Sequence, residues 1–433
     1  MKIKVISILA LAIMMASCSN QELIDSDSPK PAPQQTSNIR SYEEALQIAQ
    51  SSIQMVDGQA QTRAASPRKI ALNESKVCKL DAKTRTSSDV NDTLMYVFNF
   101  EDNQGFAIIS ANKNTEALIA VTEKGHYDPS VRSNNEGFNL FMDLAKIYVA
   151  NDRQMGEPGG GLDPLLELKD SIVTFSGYVG PFIEVKWGQE YPEGMFCPNG
   201  ISGCCNTAMA QVMTYFEYPT GISLTYSGAD QSYQALNWSN IKLHAISNHA
   251  PNSFYDIDEA THKAIGRLCR QLGELSNSTY YQDNTETYDN DVKQTMTQLG
   301  YTTNNWTDYS SGVVTASITN CHPVLIYGFR IKYENGNPVE VGHAWVVDGY
   351  YYSGYESFTW SRPYNGFDWE LIEHVVSTDY YHHFNWGYSG DNNGYYITGV
   401  FDMCTIHMPD DYVNSNYSDR NYNLDVKIMS VYR

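Results

Sequence analysis

Apolar positions in the first third of the chain change period twice. Ala45, Ile48, Ala49 and Ile53 recur at helical spacing, and Ser41-Tyr42-Glu43-Glu44 ahead of them supplies a serine cap and early acids. Three short runs follow: Leu94-Met95-Tyr96-Val97-Phe98, Phe106-Ala107-Ile108-Ile109 and Leu118-Ile119-Ala120-Val121. Turns containing Asn103, Gly105 and Asn112 separate them, which predicts a meandering antiparallel sheet. Phe138, Leu140, Phe141, Leu144, Ala145 and Tyr148 then return to the helical period. Residues 39–151 therefore predict a compact α+β block, and it holds no cluster suited to catalysis.

The pattern lapses over 152–177, where Gly156-Glu157-Pro158-Gly159-Gly160-Gly161 predicts a flexible, protease-accessible linker. The run lacks the Lys-Ser/Thr of a phosphate-binding loop. From 178 to 433 helices come first. One starts at Cys204, turns Ala208, Val212, Met213 and Phe216 inward and ends before Pro219; others are expected over 257–275 and 289–299. Strands follow over 324–333, 343–351, 380–386 and 394–400. That order predicts an α+β domain of two lobes, one helical and one an antiparallel sheet, with a cleft between them for substrate.

The first residues bear on location. Two lysines precede an apolar run from Val5 to Ala16, too short to span a bilayer but suited to a signal peptide, 1–17. It ends in Met15-Ala16-Ser17-Cys18, which resembles the lipobox of bacterial lipoproteins and makes Cys18 the expected lipid-bearing residue. The Ser-, Pro- and Gln-rich stretch 18–38 reads as a tether. The chain is thus expected to be exported and held on the bacterial envelope, or released after processing. Its formal net charge of −21 over 433 residues leaves no basic surface for nucleic acid. Eight cysteines include no C-x-x-C pair, so no zinc site is expected; Cys197 is a candidate to bond Cys205 or another neighbour.

Four short motifs carry the candidate chemistry. Gly203-Cys204 opens a helix, where the positive end of the dipole favours thiolate, although a helix-start cysteine by itself is usually structural. Gly342-His343-Ala344-Trp345 places a histidine at the head of an apolar strand. Asn385-Trp386-Gly387 offers an amide oxygen to hold an imidazole and an indole to shield that bond. Trp187-Gly188-Gln189 offers an amide donor for an oxyanion, with the Cys204 backbone N–H as the second. The chain order Gln…Cys…His…Asn is that of papain-like proteases.

These residues give the chain a specific resemblance to the streptopain family of papain-like cysteine peptidases. It is carried by Trp187-Gly188-Gln189, by Gly203 through Tyr215 with Tyr218-Pro219, by Gly342 through Gly349, and by Asn385 through Tyr388. Tyr96-Val97 with Asn103 through Lys113 resembles the family's propeptide. The resemblance implies a zymogen acting on protein or peptide substrates without a cofactor or metal, with 39–151 as its own inhibitor and folding aid. It implies Cys204 as nucleophile rather than Cys205, His343 as general base, Gln189 as oxyanion donor, Asn385 as orienter of the imidazole and Trp386 as its shield. It further implies that the propeptide displaces His343 until a cut between about 151 and 178.

The sequence departs from the family in the span between Asp348 and Asn385, which carries nine aromatic residues between Tyr350 and Trp369 and suggests either a cleft wall or a packed flap. The chief rival reading is an inactive surface-binding lipoprotein that keeps the motifs for structure; a Cys-His acyl transferase is another. Asp391-Asn392-Asn393-Gly394 lacks the remainder of a calcium loop and reads as a strand turn. His382 and His383, adjacent on a strand, point to opposite faces and make a poor metal pair.

Overall fold

The computed structural model describes residues 38–57, 68–79, 93–151, 166–247, 259–334, 337–363, 368–402 and 425–433. The signal segment, Cys18, the tether as far as residue 37 and the run Gly156–Gly161 lie outside them.

The fold is α+β. Its front block comprises α1 (Tyr42–Asp57), β1 (Lys76–Lys79), β2 (Thr93–Asn99), β3 (Phe106–Ser110), β4 (Leu118–Thr122) and α2 (Glu136–Asn151). The capping box forms as its residues suggest: the Glu44 amide donates to Ser41 Oγ at 3.2 Å and the Ser41 amide to Glu44 Oε2 at 2.7 Å. After β5 (Leu166–Val179) comes a helical lobe of α3 (Cys204–Phe216), α4 (Trp238–Ser247), α5 (Glu259–Leu275) and α6 (Asp289–Gln298), with the short strands β6 (Gly221–Ser223), β7 (Tyr233–Ala235), β8 (Thr279–Tyr280) and β9 (Thr285–Glu286). The sheet lobe follows: β10 (Thr302–Thr303), β11 (Thr307–Asp308), α7 (Ser311–Thr319), β12 (Val324–Glu334), β13 (Asn337–Pro363), β14 (Glu370–Asn385), β15 (Gly394–Ile397), α8 (Gly399–Asp402) and β16 (Asp425–Tyr432).

Among the described residues one antiparallel sheet of twelve strands crosses both blocks; ten run in the order β1-β2-β3-β4-β15-β14-β13-β12-β16-β10, while β11 pairs with β16 and β5 with β13 beside that path. The join is β4 on β15, with Gly394 opposite Thr122 and Tyr396 opposite Ala120. Gly394 makes this approach possible, because a Cβ there would lie 2.3 Å from the Val121 carbonyl oxygen.

Two hydrophobic cores lie on opposite faces of β13. Trp345 and Val347 join Phe384, Trp386, Phe401 and the front block's Phe106, Phe138 and Phe141 in one cluster. Ala344 and Val346, the alternate positions, join Cys205, Met209, Val212 and Met213 of α3 in the other. The front block is therefore not a separate globule hung on a linker; it shares one continuous core with the sheet lobe.

Two features depart from the sequence expectation. The linker expected over 152–177 becomes strand from Leu166, and β5 pairs with β13 from Tyr350 opposite Val179 to Pro363 opposite Leu166. The aromatic span pairs as β13 on β14, Tyr351 facing Tyr381 and Phe358 facing His374. It is a three-stranded ribbon on which Ile172, Val173, Leu371, Ile372, Val375 and Val376 are exposed. Cys197 forms no disulfide; it, Cys78, Cys204, Cys205, Cys269 and Cys321 are all free thiols.

Candidate active site

Cys204 is the first residue of α3, after Gly203 at φ 89°. A positive φ is costly for a residue with a Cβ, and a Cβ here would also press on Thr285 at 3.0 Å. The helix start is stitched to the Trp187-Gly188-Gln189 segment. The Ser202 amide donates to the Gln189 carbonyl at 2.7 Å, Thr207 Oγ1 to the Gly188 carbonyl at 3.1 Å, and Ser202 and Thr207 share a 2.9 Å hydroxyl bond. Gln189 is half-buried, and its side chain hydrogen-bonds the Tyr388 hydroxyl.

His343 stands opposite Gly328 on β12, buried among Trp345, Trp386 and Tyr388 at ring-centroid distances of 6.1, 6.4 and 5.1 Å. Its Nε2 lies 2.7 Å from the Trp386 carbonyl oxygen. A carbonyl only accepts, so Nε2 carries the proton and Nδ1 is left for the sulfur. The Cys204 thiol is held well below the ordinary thiol range. The neighbouring Cys205 thiol contributes most through a hydrogen bond; burial opposes ionisation, and a hydrogen bond and charge from His343, with the Ala344 backbone N–H, add to the lowering. Cys205 is pushed the other way by its ionised neighbour and by burial, and its Sγ faces the Thr287 carbonyl at 3.6 Å.

Asn385 does not hold His343. Its Oδ1 accepts from Gln211 Nε2 at 2.9 Å and Asn393 Nδ2 at 3.1 Å, and its Nδ2 donates to the Val185 carbonyl at 2.8 Å. With three donors already on that oxygen, the Gly387 amide at 3.5 Å being the third, the imidazole turns to the neighbouring main-chain carbonyl instead. Trp386 is fully buried beside the ring, so it contributes both its indole and that carbonyl.

The front block fills the space over this pair. Asn135 caps α2, its Oδ1 accepting from the Phe138 amide at 3.0 Å. Gly137 then lies flat against the site: a Cβ there would stand 2.6 Å from Trp386 Cζ3 and 2.7 Å from His343 Cδ2. The Tyr388 hydroxyl donates to the Asn134 carbonyl at 3.1 Å. A second contact joins the blocks on the far side of β14. His383 Nδ1 lies 2.6 Å from Asp348 Oδ1 and its Nε2 3.3 Å from Glu123 Oε1, while Lys186 pairs with Glu123. Burial would drive His383 neutral, but the Asp348 and Glu123 carboxylates lift it to about 9. Glu123 lies well below its usual range: burial opposes this, and Lys186 and His383 more than compensate. His382 turns away to Tyr309 and Thr315, each at 2.9 Å.

Sequence reasoning missed Gly137, Asn393 and the Glu123–His383–Asp348 chain. Gly137 had a signal, since a glycine in the first turn of an amphipathic helix asks for an explanation.

Residues 187–396 match the family model described as Peptidase C10 family, and residues 35–149 the model described as Spi protease inhibitor. These matches place a cysteine peptidase domain of the Peptidase C10, or streptopain, family behind a Spi inhibitor-like propeptide. The thiol protease/hemagglutinin PrtT of Porphyromonas gingivalis is 22% identical over 349 residues, covering 71% of this chain and 34% of its own length. The chain therefore spans about a third of that relative. A prointerpain A fragment of Prevotella intermedia is 20% identical, with 82% of this chain and 98% of that chain covered at a TM-score of 0.47. Active interpain A of the same organism is 22% identical, with 59% and 94% covered at a TM-score of 0.35.

Proposed function

We propose that this chain is an exported cysteine endopeptidase made as a latent precursor. Cys204 attacks the scissile carbonyl as thiolate, and the Gln189 amide with the Cys204 backbone N–H receives the oxyanion. His343 gives its proton to the leaving amine, then draws one from the water that releases the acyl group. Trp386 lends its carbonyl to the imidazole. The observation that carries this reading is a thiol drawn toward ionisation at a helix start beside His343, with a glycine of the inhibitor block packed on that imidazole.

Latency follows from the same contact, which covers His343 beside Cys204 rather than displacing it. Gly137 and the Asn134 carbonyl occupy the space over His343 and Tyr388, so a substrate chain cannot enter while α2 is in place. Maturation requires a cut ahead of β5, because that strand is hydrogen-bonded to β13 along its length; the freed enzyme then begins near Leu166 and keeps the ribbon whole. Export and lipid attachment at Cys18 belong to the same proposal. They rest on the apolar run and the Ala16-Ser17-Cys18 sequence, and no helix among the described residues is long and apolar enough to cross a membrane.

Digestion of a peptide library by the matured chain tests the reading. Endoproteolytic fragments from the wild type and none from Cys204→Ala are expected; turnover surviving in that variant would refute it. N-terminal sequencing of the matured protein should give a start between residues 152 and 166, and a start inside β5 would refute the cut ahead of it.

A further inference from the structure

Gln211 is completely buried on α3, two turns after Cys204, and half of its amide is unused. Nε2 donates to Asn385 Oδ1 at 2.9 Å, while Oε1 has no hydrogen-bond partner among the described residues. A buried acceptor without a partner costs stability, so an apolar side chain of the same shape would serve the fold better. What the amide does instead is reach the turn that carries the imidazole's acceptor. Asn393, also completely buried, completes that turn: its Nδ2 donates to Asn385 Oδ1 at 3.1 Å, and its Oδ1 accepts from the Trp386 amide at 2.9 Å. Asn385 Nδ2 closes the arrangement on the Val185 carbonyl, in the segment leading to Gln189.

We propose that Gln211, Asn385 and Asn393 form a three-amide clamp in which Gln211 and Asn393 are positioning residues that aim the Trp386 carbonyl at His343. Asn393 holds the Trp386 N–H at one side of the residue, and on the other the Gly387 N–H, which shares its peptide plane with the Trp386 carbonyl, points at Asn385 Oδ1 at 3.5 Å, so the amides that fix that oxygen set the direction of the carbonyl. Gln211 ties that peptide to the helix bearing the sulfur, so nucleophile and imidazole acceptor move as one body across the boundary between lobes. The clamp deepens the peptidase reading and rests on it. Around the Cys204–His343 pair the titratable groups are Cys205, Tyr388 and the inhibitor block's Glu136; the clamp itself is uncharged and acts through geometry.

The test uses the full chain carrying Gln211→Met, Asn393→Ala or Cys204→Ala. It reads the thermal midpoint, the pH profile of iodoacetamide alkylation mapped to Cys204 by mass spectrometry, and kcat and KM on fluorescein-labelled casein after maturation. Gln211→Met should melt at or above the wild type, since it removes an unpaired acceptor. Its kcat should nevertheless fall roughly ten- to a hundredfold with KM little changed, and the alkaline limb of alkylation should move to lower pH as the imidazole loses its aimed acceptor. Asn393→Ala should shift the limb in the same direction. Wild-type kcat and an unmoved limb in both variants would overturn the clamp alone. Casein cleavage by Cys204→Ala would overturn the underlying reading, and the clamp with it.

Discussion

Two helices begin within reach of the same imidazole, from opposite faces of one strand, and they are built differently. From Cys205 to Thr214 every residue of α3 is buried. Along α2, Phe138, Phe141, Leu144 and Ala145 are buried but Asp143, Lys146 and Ile147 keep contact with solvent. A helix buried all round belongs permanently to a core, whereas one with a wet stripe can leave and remain soluble. At their first turns α3 brings a thiol and α2 brings a glycine. The difference separates a part of the machine from its stopper.

The comparison can be broken at several points. Removing the sulfur with Cys204→Ala should abolish casein hydrolysis and leave the precursor unprocessed, as read by gel and mass spectrometry. On the same side of the strand, Gln189→Ala takes away one oxyanion donor and should lower kcat by about 10²–10³, measured on the matured enzyme. On the other side, Gly137→Leu forces a side chain into the His343 and Trp386 rings. Overpacking of about 1–3 kcal/mol should loosen α2 and speed alkylation of Cys204 in the unprocessed chain roughly ten- to a hundredfold. A smaller effect, several-fold, is expected for Glu123→Gln, which removes one carboxylate from His383 and the partner of Lys186.

The same ion chain sets a pH window. Glu123, depressed from its usual 4.5, stabilises the joined blocks fully above that value and loses its effect as pH falls through its lowered value. His383, raised from 6.5 to about 9, stabilises fully below 6.5 and loses its effect as pH rises through about 9. Thermal melts of the Cys204→Ala precursor should therefore be highest between about pH 4.5 and 6.5. A midpoint that rose steadily from pH 6 to 10 would remove the His383 chain from the account.

Much of this was legible because its signals are local. The capping box of α1, the three short strands of the front block and the glycine before Cys204 each declare themselves within a few residues. What escaped was set by partners far along the chain. Asn385 reads as the imidazole's holder from chain order, yet Gln211 and Asn393, 174 residues upstream and 8 downstream, already occupy its oxygen. Asp391-Asn392-Asn393-Gly394 is a turn, as its composition says, but composition does not reveal that Asn393 points inward at a peptide bond. The ribbon was hidden for another reason. Tyr350-Tyr351-Tyr352 has no apolar alternation because both faces of β13 beyond it are half-open, so the period that marks a one-sided strand is missing. For β5 the flanking glycines outweighed the alternation of Leu166, Glu167, Leu168 and Lys169, which was there to be read.

The seam between β4 and β15 is made of main chain, and main chain is common to every protein. Once the front block departs, Gly394 to Ile397 become an open border whose amides and carbonyls accept any extended segment without regard to its side chains. Prey drawn in as a strand would lie alongside the turn that carries the imidazole's acceptor. A stopper held in part by so general a grip can be succeeded in the same berth by the molecules it had kept out.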